Sequence, residues 1–289
     1  MNRSYLFVPG DSERKFTKAL TSDADALIID LEDSVSAAQK TAARDNLAGF
    51  LAADARQELW VRINPLDCGD SEADLAAMSR LPAGVVLPKA GGADDIRELD
   101  ASLTELEVSA GVAVGGTAIL PLVTERPTAL FRIEEYAHVT GRLAALTWGA
   151  EDLAAAIGAS RNRGDDGQWL GPYQLARSLC LIGAAAAGLP AVETVFTDIR
   201  DVDGAGRCAA EARQDGFSGM LAIHPAQIGP INAAFTPTDA EIAAANEIVS
   251  RFDADPDAGV IQVDGRMIDR PHYLQARRLL GMAERAGRV

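Results

Sequence analysis

Short apolar runs alternate with longer, amphipathic, alanine-rich stretches from one end of the chain to the other. The runs lie at 5–9, 26–31, 59–63, 85–87, 118–123, 143–148, 192–196 and 220–223, and each reads as a buried strand. Helical patterns follow at 12–20, around 37–51, to about 80, to near 106, at 127–138, to about 187, from 204 to about 215, and to about 252. Eight strand–helix units predict a (β/α)8 barrel occupying one domain, residues 1–252. A doubly wound sheet would alternate too. No Gly-x-Gly-x-x-Gly follows the first run, which disfavours a dinucleotide fold. Residues 253–289 are not needed to close a barrel. They read as a polar loop (253–259), a short hairpin or extended segment (260–269) and a helix (272–285), an extension expected to cap the mouth or pack on a neighbouring subunit.

Composition narrows the partners. The 289 residues carry a net charge of −15, which disfavours nucleic acid and anionic membranes. An anionic substrate would need a local cationic patch or a metal. Cys68, Cys180 and Cys208 are too few and too scattered for a disulfide framework or a zinc site. No apolar run is long enough to span a bilayer, and the strand-like segment directly after Met1 does not read as a signal peptide. A reduced, cytoplasmic setting is expected.

Catalytic groups in such barrels sit where strands end at the C-terminal face. Here those ends read Pro9-Gly10, Asp30-Leu31-Glu32-Asp33, Arg62-Ile63-Asn64, Pro88-Lys89, Thr124-Glu125-Arg126, Gly149-Ala150-Glu151-Asp152, Thr197-Asp198 and His224-Pro225. Several carboxylates with few histidines suit a hard cation such as magnesium, which keeps waters and takes substrate as a ligand. The segment 143–152 concentrates the question: a buried run breaks at Gly149 and delivers Glu151 and Asp152 where a helix begins. Asp152 there is either a helix N-cap or a metal ligand.

The segments Leu6-Phe7-Val8-Pro9-Gly10, Ile29-Asp30-Leu31-Glu32-Asp33-Ser34-Val35, Val61-Arg62-Ile63-Asn64-Pro65, Leu87-Pro88-Lys89-Ala90, Gly149-Ala150-Glu151-Asp152-Leu153, Ile223-His224-Pro225-Ala226-Gln227-Ile228 and Met267-Ile268-Asp269 occur in order along nearly the whole chain. In these the sequence resembles the citrate lyase β-subunit-like enzymes of the aldolase/citrate lyase superfamily, together with malyl-CoA and citramalyl-CoA lyases. The resemblance implies a (β/α)8 barrel, Mg2+ (with Mn2+ as the alternative ion), a CoA thioester and a keto acid as small-molecule partners, reversible carbon–carbon cleavage, and a homotrimer or homohexamer.

It also implies roles. Asp152 becomes a magnesium ligand, with Glu151 in support. Glu125 is the second ligand, although the acid stands one place later than the Ile-Glu-Thr of many relatives; a one-residue shift in a strand turns a side chain to the other face. Arg62 would bind a substrate oxygen and stabilise the enolate, its planar fork always charged; a salt bridge to Asp30 or Glu32 can coexist with that role. Glu32, with Asp30 and Asp33, would orient Arg62 and the metal waters. Asp269 would be the acid/base, reaching a neighbour's site; local sequence alone favours a helix cap before Pro271. Arg14 and Lys18 would touch CoA phosphates with Phe7 near the nucleotide, where the plainer reading is a solvated helix face. Lys89 would support the acidic cluster, and a Schiff-base role would mark a different aldolase class. Two other functions fit the same residues: a class II type aldolase releasing pyruvate from a free 2-keto acid, and a non-catalytic subunit of a lyase complex. The acyl group, and CoA against an acyl-carrier protein, are not fixed by these residues.

Overall fold

Side chains along a strand point alternately to opposite faces, and that alternation sorts this chain into two cores. The computed structural model describes residues 2–263 and 265–288; Met1, Asp264 and Val289 of the spans expected above lie outside them. Strands β1 (Ser4–Pro9), β2 (Ala26–Asp30), β3 (Glu58–Arg62), β4 (Gly84–Leu87), β5 (Ala118–Pro121), β6 (Leu146–Thr147), β7 (Ala191–Glu193) and β8 (Gly219–Ala222) form one parallel sheet in the order 5-4-3-2-1-8-7-6. Bridges from Ile119 to Leu143 and from Leu122 to Thr147 join the two edges and close a TIM barrel.

Tyr5, Ala26, Ile28, Trp60, Val86, Leu120, Val192 and Leu221 fill the barrel interior. Tyr5 meets Trp60 edge to face, with centroids 5.8 Å apart. Gly84 makes room for that indole, since a Cβ there would lie 2.3 Å from Trp60 Cζ3. The alternate positions, such as Leu6, Val8, Leu27, Ile29, Val61 and Val85, pack outward under the helices. The inward series 26, 28, 30 on β2 and 60, 62 on β3 therefore ends in Asp30 and Arg62. Parallel register sets these two side by side.

The surrounding helices are α1 (Glu13–Leu20), α2 (Lys40–Leu51), α3 (Asp70–Ala76), α4 (Ala93–Ala110), α5 (Ala150–Ile157), α6 (Gly171–Ala186), α7 (Val202–Asp215), α8 (Ile228–Phe235) and α9 (Asp239–Ala254). Two expectations change. The helix expected at 127–138 is two 3-10 turns, Ala129–Phe131 and Ile133–Tyr136. Arg132 leaves helical backbone at φ −125° and ψ 10°, and the buried Ile133 and Tyr136 are three apart, the spacing that a 3-10 turn stacks. The sixth strand is laddered only at Leu146–Thr147, where it pairs with β7; toward β5 it makes single bridges, at Leu143 and Thr147.

The extension is a hairpin, β9 (Val260–Val263) and β10 (Arg266–Asp269), followed by α10 (Arg270–Arg285). It folds back along α9. Phe252 and Tyr273 pack with centroids 5.3 Å apart, and the Tyr273 hydroxyl donates to Asp253 at 3.0 Å. No described helix is long and apolar enough to cross a membrane.

Candidate active site at the barrel mouth

The inward ends of β2 and β3 supply the centre of the mouth. Arg62 donates from Nε and Nη2 to the two oxygens of Asp30, both at 2.7 Å. Its Nη1 lies 3.0 Å from Glu32 Oε2, but not in line for a hydrogen bond, so that buried oxygen has no hydrogen-bond partner among the described residues. The guanidinium sits over the Phe7 ring, 4.6 Å from its centroid. Burial alone would push Asp30 up, but the adjacent Arg62 outweighs it and holds the carboxyl below its usual range. Glu32 goes the other way, because burial outweighs the pull of Arg62 and Lys89.

Lys89 ties the acids together. Its ammonium pairs with Glu32 and lies 3.2 Å from Asp152 Oδ1 and 3.7 Å from Asp33 Oδ2. Burial opposes the charge, yet these carboxylates outweigh it and hold Lys89 above its ordinary range. The Lys89 backbone is left-handed, φ +52°, an uncommon setting for a residue with a side chain. From that turn its N–H donates to Glu125 Oε2 at 2.5 Å.

Glu125 stands four residues beyond the end of β5, in loop rather than strand, so the alternation that a one-residue shift would invert no longer applies. Its side chain is buried at 4% exposure. Burial, then the charge of Asp152, push its carboxyl up to about 8. Among the described residues no lysine or arginine forms an ion pair with it. Gly149 gives it space: a Cβ there would lie 2.7 Å from Glu125 Cγ and 2.8 Å from Oε1. The Gly149 N–H in turn donates to Thr124 Oγ1 at 3.1 Å.

Asp152 lies in the first turn of α5, and Gly149, not Asp152, occupies the N-cap position. Glu151 is exposed and accepts from Asn162 at 2.7 Å, away from the acidic group. Glu125 and Asp152 are thus the pair that could hold a divalent ion. Among the described residues no group of three or more His, Cys, Asp or Glu side chains could form a metal cage. Magnesium commonly uses one or two carboxylates and retains waters, so this oxygen pair, shaped around Gly149, fits it better than a zinc site.

Other expected residues lie elsewhere. Phe7 packs with the barrel interior, not with Arg14 and Lys18, because position 7 falls on the inward face of β1. Arg14 and Lys18 are exposed on α1, and among the described residues neither makes an ion pair. Lys18 borders a cleft of about 260 Å³ between α1 and α8. Asp269 N-caps α10 and its Oδ1 contacts His272 Nδ1 at 2.5 Å, which holds the carboxyl below its usual range. Among the described residues no hydrogen bond or ion pair links 265–288 to Arg62, Glu32, Glu125 or Asp152. Within one copy, Asp269 is outside the cluster.

Among the described residues, three buried acids lie outside the candidates drawn from the sequence: Asp74, Glu107 and Glu193. Glu193, wholly buried at the end of β7, accepts from Trp148 Nε1 and Arg177 Nε, each at 2.6 Å. An acid inside the apolar run 192–196 was its only local signal. His224 caps a turn, its Nδ1 accepting from the Ala226 N–H at 3.2 Å.

Comparison with known proteins bears on this geometry. Residues 3–225 match the family model described as HpcH/HpaI aldolase/citrate lyase. The citrate lyase subunit beta of Leuconostoc mesenteroides subsp. cremoris is 33% identical over 98% of this chain and 93% of its own length. A (3S)-malyl-CoA thioesterase of Cereibacter sphaeroides is 36% identical over 98% of this chain and 94% of its own. A crystal structure of the protein CitE from Mycobacterium tuberculosis, in complex with magnesium, acetoacetate and coenzyme A, superposes with a TM-score of 0.79 at 32% identity, covering 98% of each chain.

Proposed function

Because this chain belongs to the HpcH/HpaI aldolase/citrate lyase family, we propose that it is a magnesium-dependent lyase. It reversibly breaks a carbon–carbon bond in a 3-hydroxyacyl-CoA ester of the malyl, citramalyl or citryl class. The observation that carries this reading is the surplus of buried carboxylate at the mouth: Glu125 lies beside Asp152 with one backbone N–H and, among the described residues, no ion pair of its own. The Mycobacterium tuberculosis CitE complex with magnesium and coenzyme A supports the same ligands.

Glu125 and Asp152 hold the ion in this proposal. Bound there, magnesium acts as a Lewis acid on the oxygens of the keto-acid fragment. Cleavage converts the substrate hydroxyl to a carbonyl and leaves a thioester enolate. Arg62 faces that charge. Asp30 fixes its guanidinium through two of its five N–H donors, so the rest of the fork is held in place before the substrate arrives and needs no reorganisation. Glu32 and Lys89 set the rim around it. Asp269 of a second copy takes the hydroxyl proton and delivers a proton to the enolate carbon. That assignment makes the site complete only in an oligomer, a homotrimer or homohexamer. Arg14 and Lys18 receive the CoA phosphates.

A screen against malyl-, citramalyl- and citryl-CoA, with magnesium and with chelator, tests the reading. Asp152→Ala should abolish magnesium-dependent turnover and leave the melting curve in place; retained turnover removes Asp152 from the site. A second reading is hydrolysis of the thioester, favoured by the 36% identity to the malyl-CoA thioesterase. The products separate the two: a lyase releases acetyl-CoA and an aldehyde from malyl-CoA, a thioesterase releases free thiol and malate.

A further inference from the structure

Lys40, the first residue of α2, carries an ammonium that meets no carboxylate among the described residues. Its three protons have three neutral acceptors: Leu31 O at 2.6 Å, Glu32 O at 2.9 Å and Asn64 Oδ1 at 2.8 Å. An ammonium has three donors and no acceptor, so this set saturates it. Two successive carbonyls turned toward one cation define a bent loop rather than a continuing strand.

Asn64 carries the restraint onward. Its Nδ2 donates to Leu31 O at 3.0 Å and to Asp74 Oδ2 at 2.7 Å, and its backbone N–H donates to the same Asp74 oxygen at 2.8 Å. Asp74 is fully buried and accepts from Arg44 Nε at 2.7 Å. The exits of β2 and β3 are thereby tied to α2 and α3. Glu32 is gripped at both ends of its backbone, its N–H by Asp30 Oδ1 at 3.0 Å and its carbonyl by Lys40. The side chain between those grips reaches Arg62 and Lys89.

We propose that Lys40 is a positioning residue for the barrel mouth, holding the β2 exit loop so that the Glu32 carboxylate stays between Arg62 and Lys89. The proposal rests on the lyase reading for its kinetic consequence and on geometry for its structural one. The two are tested separately. In Lys40→Met, amide hydrogen exchange should accelerate on the order of tenfold in peptides covering 31–35 and not in the core of α2. Thioester kcat should fall roughly 100-fold, the scale of a misplaced catalytic group, with KM changed less than about threefold. Aminoethylation of a Lys40→Cys variant with 2-bromoethylamine rebuilds an ammonium at the same reach. It should restore exchange and kcat, with the unmodified chain treated in parallel to account for Cys68 and Cys208.

Unchanged exchange at 31–35, acceleration spread evenly over the barrel, a loss carried by KM alone, or no recovery on aminoethylation would each overturn the proposal. Should Lys40→Met not fold, Lys40→Arg decides. It keeps the charge but cannot set one tetrahedral ammonium on three acceptors, and parental exchange and kcat there would also overturn the proposal. If the unmodified chain cleaves no thioester in the screen, the lyase reading fails, and the exchange measurements still judge Lys40.

Discussion

Arg62→Met leaves Asp30 charged, buried and unpaired. Asp30 is 1% exposed and receives both Arg62 donors at 2.7 Å. What remains are the N–H groups of Glu32 at 3.0 Å and Ser34 at 3.2 Å. Removing one partner of a buried pair costs about 3–5 kcal/mol, and two surviving backbone bonds point to the lower end, about 3 kcal/mol. In a protein of this size that is a fall in Tm of roughly 5 °C.

The pH dependence supplies the sign. With Arg62 present the folded pKa of Asp30 is depressed, so the pair adds stability above the ordinary value of 3.8 that is lost as pH falls below it. Without Arg62, only the Glu32 and Ser34 N–H groups oppose burial, and the folded pKa should rise above the unfolded one. Protonation then relieves the buried charge. The stability gap between the two proteins should therefore narrow as pH falls from 8 to 5, measured by urea denaturation in chelator. Asp30→Asn added to Arg62→Met should recover about 1–2 kcal/mol, the part of the loss that was uncompensated charge. A gap constant across that pH range, or a double variant no more stable than the single one, would refute the argument.

Further predictions concern the rim, the frame and the assembly. Gly149→Ala places a Cβ 2.7 Å from Glu125 Cγ in a buried setting; magnesium affinity by titration calorimetry should fall on the order of tenfold, and parental affinity would count against Glu125 as a ligand. Glu107, fully buried and held down at about 2 by the Arg142 fork and backbone N–H groups, adds stability that is complete above about 4.5 and lost as pH falls toward 2. Glu107→Gln should flatten that acid limb of the denaturation midpoint, and an unaltered limb would exclude Glu107 as its source. Mixing Arg62→Lys and Asp269→Asn chains, each nearly inactive alone, should restore roughly a quarter of parental turnover if one copy supplies Arg62 and another Asp269; no recovery after verified subunit exchange would place Asp269 outside the reaction.

Local pattern determined much of this protein. Two-residue alternation in 26–30 and 58–62 sets Asp30 and Arg62 on the inward face, because pleating leaves a strand side chain only two directions. Eight such runs between amphipathic helices were enough to predict the barrel, and strand exits were the right place to look for acids. Pattern over-read the chain where order depends on neighbours: the 127–138 segment breaks at Arg132, and the sixth strand keeps two laddered residues.

Tertiary structure decided what touches what. Glu125 lies beside Asp152 only because its loop turns inward and Gly149, 24 residues on, leaves the space. Phe7 lies under Arg62, a contact between β1 and β3 that chain proximity does not give. Lys40 looks like any helix lysine until the β2 and β3 exits converge on it. Periodicity is a property of a few consecutive residues and can be read from them. Convergence depends on register and closure summed over the whole sheet, and no single stretch of sequence carries it.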